Sequence, residues 1–449
     1  MTKENEISKF FRHPGALCRS FPGGAGAGLR RRRRKRAESY AQLLAAVHDR
    51  AESLKICAGR CEAILADGSY DCVLEIFAAV AAGLPVALLD ADAPDETLRE
   101  QLNACDAGLV WGDEDLCEEL GFSATGTTAA QPGDILFFTS GTTSRAKAVV
   151  LTEQSLCNSA YNGGALLPLS PSDTLMCMLP LSHVFGFVCG LLWGLSCGAC
   201  VALGRGARHY IDDLAYFGPT ALSAVPLLLG FLVQHSLLNR ELKLILVGAG
   251  DCPAALLEAV KAKGIRVSFG YGLTETSSGV ALSLGDDPYA MTVCPDDRLC
   301  IAEDGEIRID APTCVMKGYY RDPDATAAAF TADGWLCTGD LGSLDEAGRL
   351  HVTGRKKEIL VFSDGTKLFL PEAEAQLAGL LPGEDLALCQ KDGKVVLVLG
   401  GSQKTDEEIK TAVAPWQKDR PRSQQIAAIE HTEGALTRTA TGKVKRWEL

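Results

Sequence analysis

Residues Asp134 to Val150 read DILFFTSGTTSRAKAVV. An apolar run, Ile135 to Phe138, leads into Thr139, Ser140, Gly141, Thr142 and Thr143, and Lys147 stands before a second apolar run. A polyphosphate needs short side chains so that backbone N–H groups can approach, hydroxyls to donate to its oxygens, and one cation to offset its charge. This segment has all three. It is not the G-x-x-x-x-G-K-[ST] loop, because Gly141 stands alone and Ala148 follows Lys147. On its own a stretch of this kind is more often a plain turn between strands. The residues downstream decide.

With 449 residues the chain exceeds one ordinary core, so two or more domains are expected. A 47% hydrophobic and 22% charged composition is that of a globular protein, and a net charge of −13 argues against a general nucleic-acid binder. The charge is uneven. Residues 1–37 hold eleven basic residues and two acidic ones, mostly in RRRRRKR at Arg30 to Arg36 behind a glycine-rich stretch. That pattern reads as a solvated, disordered tail rather than a lipid or RNA site. Seventeen cysteines without a signal peptide point to a reducing, cytoplasmic interior. Cys197 and Cys200 form a lone C-x-x-C in an apolar run and read as packing thiols.

From Glu38 to about Asp115 helix-like and strand-like pieces alternate. Ser39 to Val47 has helical spacing, Ala78 to Gly83 closes a helix, and Leu84 to Asp90 reads as a buried strand. Pro94 to Ala104 is helical again, with acidic residues in its first turn, and Gly108 to Trp111 is strand-like. Alternation implies parallel, covered sheets. Thr152 suits a helix N-cap. Leu175 to Leu203 has no charged residue, yet Pro180, His183 and recurring glycines exclude a membrane span, and a buried helix packed through its glycines is expected, with His183 at its mouth. Leu242 to Gly250 and Arg266 to Gly270 read as strands ending in glycine around a helix from Pro253 to Lys263. Ligands gather beyond the carboxyl ends of such strands.

Five separated motifs stand in one order: FTSGTTSRAK, PLSHVFG at Pro180 to Gly186, YGLTE at Tyr271 to Glu275, TGD at Thr338 to Asp340, and GR at Gly354 and Arg355, with TATGK closing the chain. This set resembles the adenylate-forming superfamily of acyl-CoA synthetases, peptide-synthetase adenylation domains and luciferases, from about Ser39 to the C-terminus. The stretches HVFGF, TALSAVPLLLG and NRELKLILVGAG look most like bacterial medium- or long-chain acyl-CoA synthetases. The resemblance implies an α/β fold, with a tail to residue 37, a large domain of covered, mainly parallel sheets over 38–354, a hinge at 355–357 and a small mobile domain over 358–449. It also implies that Thr139 to Thr143 and Lys147 hold ATP phosphates and that Thr274 donates to the α-phosphate. Glu275 carries a hard carboxylate suited to Mg²⁺. Tyr271 and Gly272 with Gly248, Ala249 and Gly250 would flank adenine, and Asp340 with Arg355 would meet the ribose. Lys357 would be the pivot, Lys443 the adenylation lysine, and Gly365 the glycine of the thiol-step loop. His183 joins Thr274, Glu275 and Lys443 as a catalytic candidate. Simpler readings exist for two of these, Thr274–Glu275 as a helix cap and Asp340 as a turn cap.

Three departures from the family pattern are visible. Ser144, Ala146 and Ala148 stand where Gly, Pro and Gly are usual, Thr437 takes the place of a proline before the terminal motif, and the chain is trimmed before Gln131 and around Ser283 to Leu299. The implied reaction joins a carboxylic acid to CoA through an acyl-adenylate. SHVFGFVCGLLWG offers no carboxylate for an α-ammonium group, and burying that charge unpaired is unfavourable, so an apolar acid, fatty or otherwise, is expected. Two rivals remain: a ligase loading the pantetheine of an acyl carrier protein, and a non-catalytic nucleotide-binding relative.

Overall fold

The computed structural model describes residues 16–19, 36–113, 115–123, 128–139, 147–250, 252–362, 366–418, 420–438 and 444–449. Strands β1 (Ala16–Arg19) and β2 (Arg36–Ser39) pair antiparallel, and β1 also joins the edge of a large sheet. Part of the stretch expected to be a disordered tail is therefore strand, and the boundary at residue 38 falls inside β2. The ladder along β1 accounts for this, and the last residue of the basic block, Arg36, is part of it, paired with Arg19. Ser39 then starts helix α1 (Tyr40–Leu54) through a reciprocal cap: Gln42 N–H donates to Ser39 Oγ, and Ser39 N–H donates to Gln42 Oε1 at 2.8 Å.

The alternating stretch gives β3 (Cys61–Leu65), α2 (Tyr70–Ala81), β4 (Val86–Leu89), α3 (Asp95–Ala104), β5 (Ala107–Trp111) and β6 (Asp134–Thr139). These strands pair in parallel as expected, and β7 (Lys147–Thr152) returns antiparallel against β6. Thr152 caps α4 (Glu153–Leu166) by accepting from the Ser155 N–H at 2.9 Å.

The uncharged run Leu175 to Leu203 is not one helix. It is strand β8 (Thr174–Cys177), a π-helical stretch (Gly186–Leu192) running into the turn Trp193–Ser196, and strand β9 (Cys200–Leu203), which pairs parallel with β8. Strands buried on both faces are as apolar as the helix between them, so composition could not divide the run. Its glycines do serve close packing: a Cβ on Gly194 would lie 2.6 Å from Val201 Cγ2 and 2.9 Å from Leu175 Cδ2. Cys197 and Cys200 are half-buried rather than buried.

The sheet continues in parallel through β10 (Ala221–Ala224), β11 (Leu244–Val247) and the start of β12 (Arg266–Leu273). Beyond Gly270 it turns antiparallel, with β13 (Ser278–Ser283), β14 (Met291–Val293), β15 (Arg298–Ile301) and β16 (Glu306–Asp310). Strand β17 (Gly318–Tyr319) crosses to the first sheet beside β7, whereas β18 (Leu336–Leu344) and β19 (Leu350–Arg355) complete the large one. The two sheets have six and thirteen strands, and their inner faces share one core with α1, α2, α4 and the π-helical stretch. Phe137 of β6 meets Phe187 edge to face at 5.7 Å within it. From Phe362 onward a separate core forms around the helices Leu370–Leu380 and Asp406–Lys418 and a three-stranded sheet. Among the described residues no helix is long and apolar enough to cross a membrane.

Candidate active site

Parallel registers bring the ends of β10, β11 and β12 to one edge. Val247 pairs with Phe269, so Gly248, Ala249 and Gly250 leave β11 beside Gly270 and Tyr271. Ala249 adopts φ 63°, and a Cβ on Gly248 would lie 3.0 Å from Phe185 Cζ of the PLSHVFG segment. Gly272 is required by the sheet itself. A Cβ there would lie 1.6 Å from Ser278 O, where β12 and β13 pair through an irregular register.

Tyr271 donates its hydroxyl to Asp340 Oδ2 at 2.9 Å, and Arg355 Nε lies 2.9 Å from Asp340 Oδ1. Asp340 and Arg355 are direct partners across β18 and β19, which is why two motifs fifteen positions apart meet. Asp340 is buried, and Arg355 is exposed. Burial, and then the Asp340 carboxylate, push the Tyr271 hydroxyl pKa far up, so it stays a donor. One layer below, buried Glu306 accepts from the Gly339 N–H at 2.9 Å through Oε1, while its Oε2 lies 2.9 Å from Lys356 Nζ. Lys356 also reaches Asp304 at 2.7 Å.

Lys147, paired with Thr139 at the loop end of the β6–β7 hairpin, places its Nζ 4.5 Å from the centre of the Tyr319 ring. The Tyr319 hydroxyl donates to Glu275 Oε1 at 2.7 Å. Glu275 lies in the short 3₁₀ turn Thr274–Thr276, and its carbonyl accepts from the Met316 N–H at 2.7 Å. The loop lysine and the YGLTE glutamate are thus joined through one aromatic residue. The Glu275 carboxylate suits a hard cation held mainly by phosphates and water.

His183 is exposed, yet desolvation of the ring lowers its pKa, with Asp90 beyond β4 opposing. A cavity of about 20 Å³ is lined by Ala160, Val188, Cys189, Trp193, Leu246 and Leu282 among others, and no charged side chain lines it. Trp193 Nε1 donates to Leu167 O at 2.9 Å, which fixes the indole as one wall.

Ser140, Gly141, Thr142 and Thr143 lie outside the described residues, as do Gly365 and Lys443. The rest of the sequence candidates are placed: Tyr271 with Asp340 and Arg355, Lys147 with Glu275, and Gly248 beside Phe185. Lys357 is exposed just after the Lys356 ion pairs. Sequence reasoning missed Tyr319, Glu306 and Trp193. Glu306 carried no signal beyond a turn before a strand, while two tyrosines after Lys317 and Gly318 were a weak one.

The AMP-binding enzyme family model matches residues 29–320. The chain is 30% identical over 434 residues to a 2-succinylbenzoate–CoA ligase of Bacillus velezensis, covering 86% of each chain. It is 32% identical to the 3-[(3aS,4S,7aS)-7a-methyl-1,5-dioxo-octahydro-1H-inden-4-yl]propanoyl:CoA ligase of Mycobacterium tuberculosis, covering 73% of this chain and 68% of that one. Among solved structures, O-succinylbenzoate Coenzyme A synthetase from Bacillus subtilis in complex with AMP superposes with a TM-score of 0.78 at 23% identity, covering 100% of this chain and 98% of the other. ATP-bound MatB from Rhodopseudomonas palustris gives 0.78 at 21% identity, covering 99% and 97%. These two likenesses establish the fold.

Proposed function

We propose that this chain, which belongs to the family of AMP-binding enzymes, is an AMP-forming acid–CoA ligase acting on an apolar carboxylic acid. A carboxylate oxygen of the acid attacks the α-phosphorus of ATP and pyrophosphate leaves. The CoA sulfur then attacks the acyl carbon, its proton passes to solvent, and AMP leaves.

The observation that carries this reading is the pair of linked clusters, Tyr271–Asp340–Arg355 and Lys147–Tyr319–Glu275, at one edge of the sheets. The first suits a nucleoside. Asp340 can accept from a vicinal diol while its existing partners hold it, and the Gly248–Gly250 turn leaves room beside Tyr271 for a flat base. The second suits its phosphates: Lys147 supplies positive charge with Thr139 to Thr143, and Thr274 donates to the α-phosphate. Glu275 would hold Mg²⁺, which when bound offsets negative charge on the phosphate oxygens.

His183 and the uncharged cavity support an apolar acid. At about 20 Å³ the cavity holds little more than one water, so a compact or ring-bearing acid enters with less rearrangement than a long chain. The names of the curated relatives, a succinylbenzoate and an indanyl propanoate ligase, agree with a ring-bearing acid. In the same reading residues 358–449 form a small domain that turns about Lys357, bringing Lys443 to the site for adenylation and the backbone at Gly365 for the thiol step.

A pyrophosphate-release assay over aryl, fatty and amino acids, with CoA or holo-acyl carrier protein added in turn, tests this. Release with an aryl or short apolar acid and thioester formation with CoA are expected. Thioester on the carrier alone would replace CoA as acceptor, and silence on every acid despite ATP binding would reduce the chain to a nucleotide-binding relative.

A further inference from the structure

Tyr319 belongs to none of the motifs that identified the site, yet it touches both sides of the phosphate region. The segment Lys317 to Thr326 holds it rigidly. Gly318 and Tyr319 pair with Val150 and Val149 of β7, and the Tyr319 N–H donates to Thr326 Oγ1 at 2.9 Å. Gly318 adopts φ 147°, and a Cβ there would lie 2.7 Å from Thr326 Cγ2, so the close approach of Thr326 requires glycine. On either side, Lys317 Nζ meets buried Asp134 at 2.8 Å, and the Tyr320 hydroxyl donates to Asp106 at 2.6 Å. The segment therefore grips the base of the β6–β7 hairpin through Lys317 and presents the Tyr319 side chain to Lys147 at its loop end.

That side chain has two separable contacts. Its ring face receives the Lys147 ammonium at 4.5 Å, a cation–π distance. Its hydroxyl, through the 2.7 Å bond to Glu275 Oε1, restricts the carboxylate of the YGLTE turn. A lysine on a four-carbon stem and a half-buried glutamate otherwise both lose rotamer freedom when a ligand binds. We propose that Tyr319 is a positioning residue of the nucleotide site: its ring seats Lys147 for the phosphates, and its hydroxyl orients Glu275 for the divalent metal. The proposal rests on the adenylation reading for the identity of the ligand.

The two contacts can be tested apart. Calorimetric titrations of α,β-methylene-ATP, with and without Mg²⁺, into the full-length wild type, Tyr319→Phe and Tyr319→Leu require no acid substrate. Tyr319→Phe keeps the ring and should bind the Mg²⁺-free analogue within about twofold of wild type. Its Mg²⁺-dependent gain in affinity should shrink about tenfold, the low end for a hydrogen bond to a charged group. Adding Glu275→Gln to Tyr319→Phe should then remove less of that gain than it removes from wild type. Tyr319→Leu should also lose about threefold in Mg²⁺-free affinity, as expected for an exposed cation–π contact. An undiminished Mg²⁺-dependent gain in Tyr319→Phe overturns the proposal, as does additive loss in the double variant. If these binding results hold while every acid is silent, the ligase reading fails and the role of Tyr319 stands. If acids turn over normally and Tyr319→Phe titrates like wild type, only the role of Tyr319 falls.

Discussion

Replacing Asp297 by Asn should change the pH dependence of stability by an amount that the structure fixes. Asp297 lies just past β14, its N–H donating to Cys294 O, and only 6% of its surface is exposed. Among the described residues neither carboxylate oxygen has a hydrogen-bond partner. Burial first, and then the charges of Asp296 and Asp310, raise its pKa from 3.8 to about 7. An unfolded chain loses this proton near 3.8, whereas the folded one keeps it to about 7. Between those values the folded state binds more protons, so stability falls as pH rises, and the loss is complete above the folded value. Each pH unit inside the window is worth about 1.4 kcal/mol, or about 3 kcal/mol between pH 5 and pH 7. Asn has the same shape and does not ionise. Calorimetric melting at pH 5, 6, 7 and 8 should show Asp297→Asn gaining on wild type by about that amount across the window and no further beyond pH 8. The unpaired amide shifts the variant equally at every pH, so it cannot imitate the trend. Parallel curves for the two proteins from pH 5 to 8 would show that Asp297 ionises normally and refute the argument.

Two further changes probe the site. Trp193→Phe removes the bond to Leu167 O and one wall of the cavity; it should lower stability by about 1 to 3 kcal/mol and shift the pyrophosphate-release preference towards bulkier acids, and an unchanged preference would remove Trp193 from the acid pocket. Glu306→Ala leaves the Gly339 N–H without its acceptor and Lys356 with Asp304 alone, so melting should show a loss of about 2 to 4 kcal/mol at pH 7.

What was legible in the sequence was chemistry carried by consecutive residues. YGLTE, TGD and GR each hold their functional atoms within a few positions, and the parallel β11–β12 and antiparallel β18–β19 registers then bring Gly248 to Tyr271 and Asp340 to Arg355. Tyr319 was not legible, because its role arises from strand β17 pairing with β7, about 170 positions earlier, and nothing local announces that pairing. The Leu175 to Leu203 run failed for another reason. Period separates strand from helix only when one face is polar, and here both faces of β8 and β9 and most of the intervening helix are buried. The strand inside the basic N-terminal stretch was hidden by composition: β1 has only four residues and gains its place from the edge it extends, at β9.

The ion pairs around β19 bear on where a mobile small domain can turn. Arg355 is pinned to buried Asp340, and Lys356 to Asp304 and buried Glu306, all of them on the large-sheet side. A pivot at Lys356 or earlier would have to break these contacts on each cycle, stripping charged partners from two buried carboxylates, which costs several kcal/mol. Lys357, the residue that follows these two, is exposed. The nucleotide site and the proposed hinge are therefore tied at two neighbouring points. Asp340, which would hold the ribose, also fixes Arg355, while Glu306 fixes the Gly339 backbone beside Asp340 and Lys356 together. In the proposed reading, a turn of the small domain that begins after Lys356 would keep the Asp340–Arg355 and Glu306–Lys356 contacts, and with them the residues proposed for the ribose, in place.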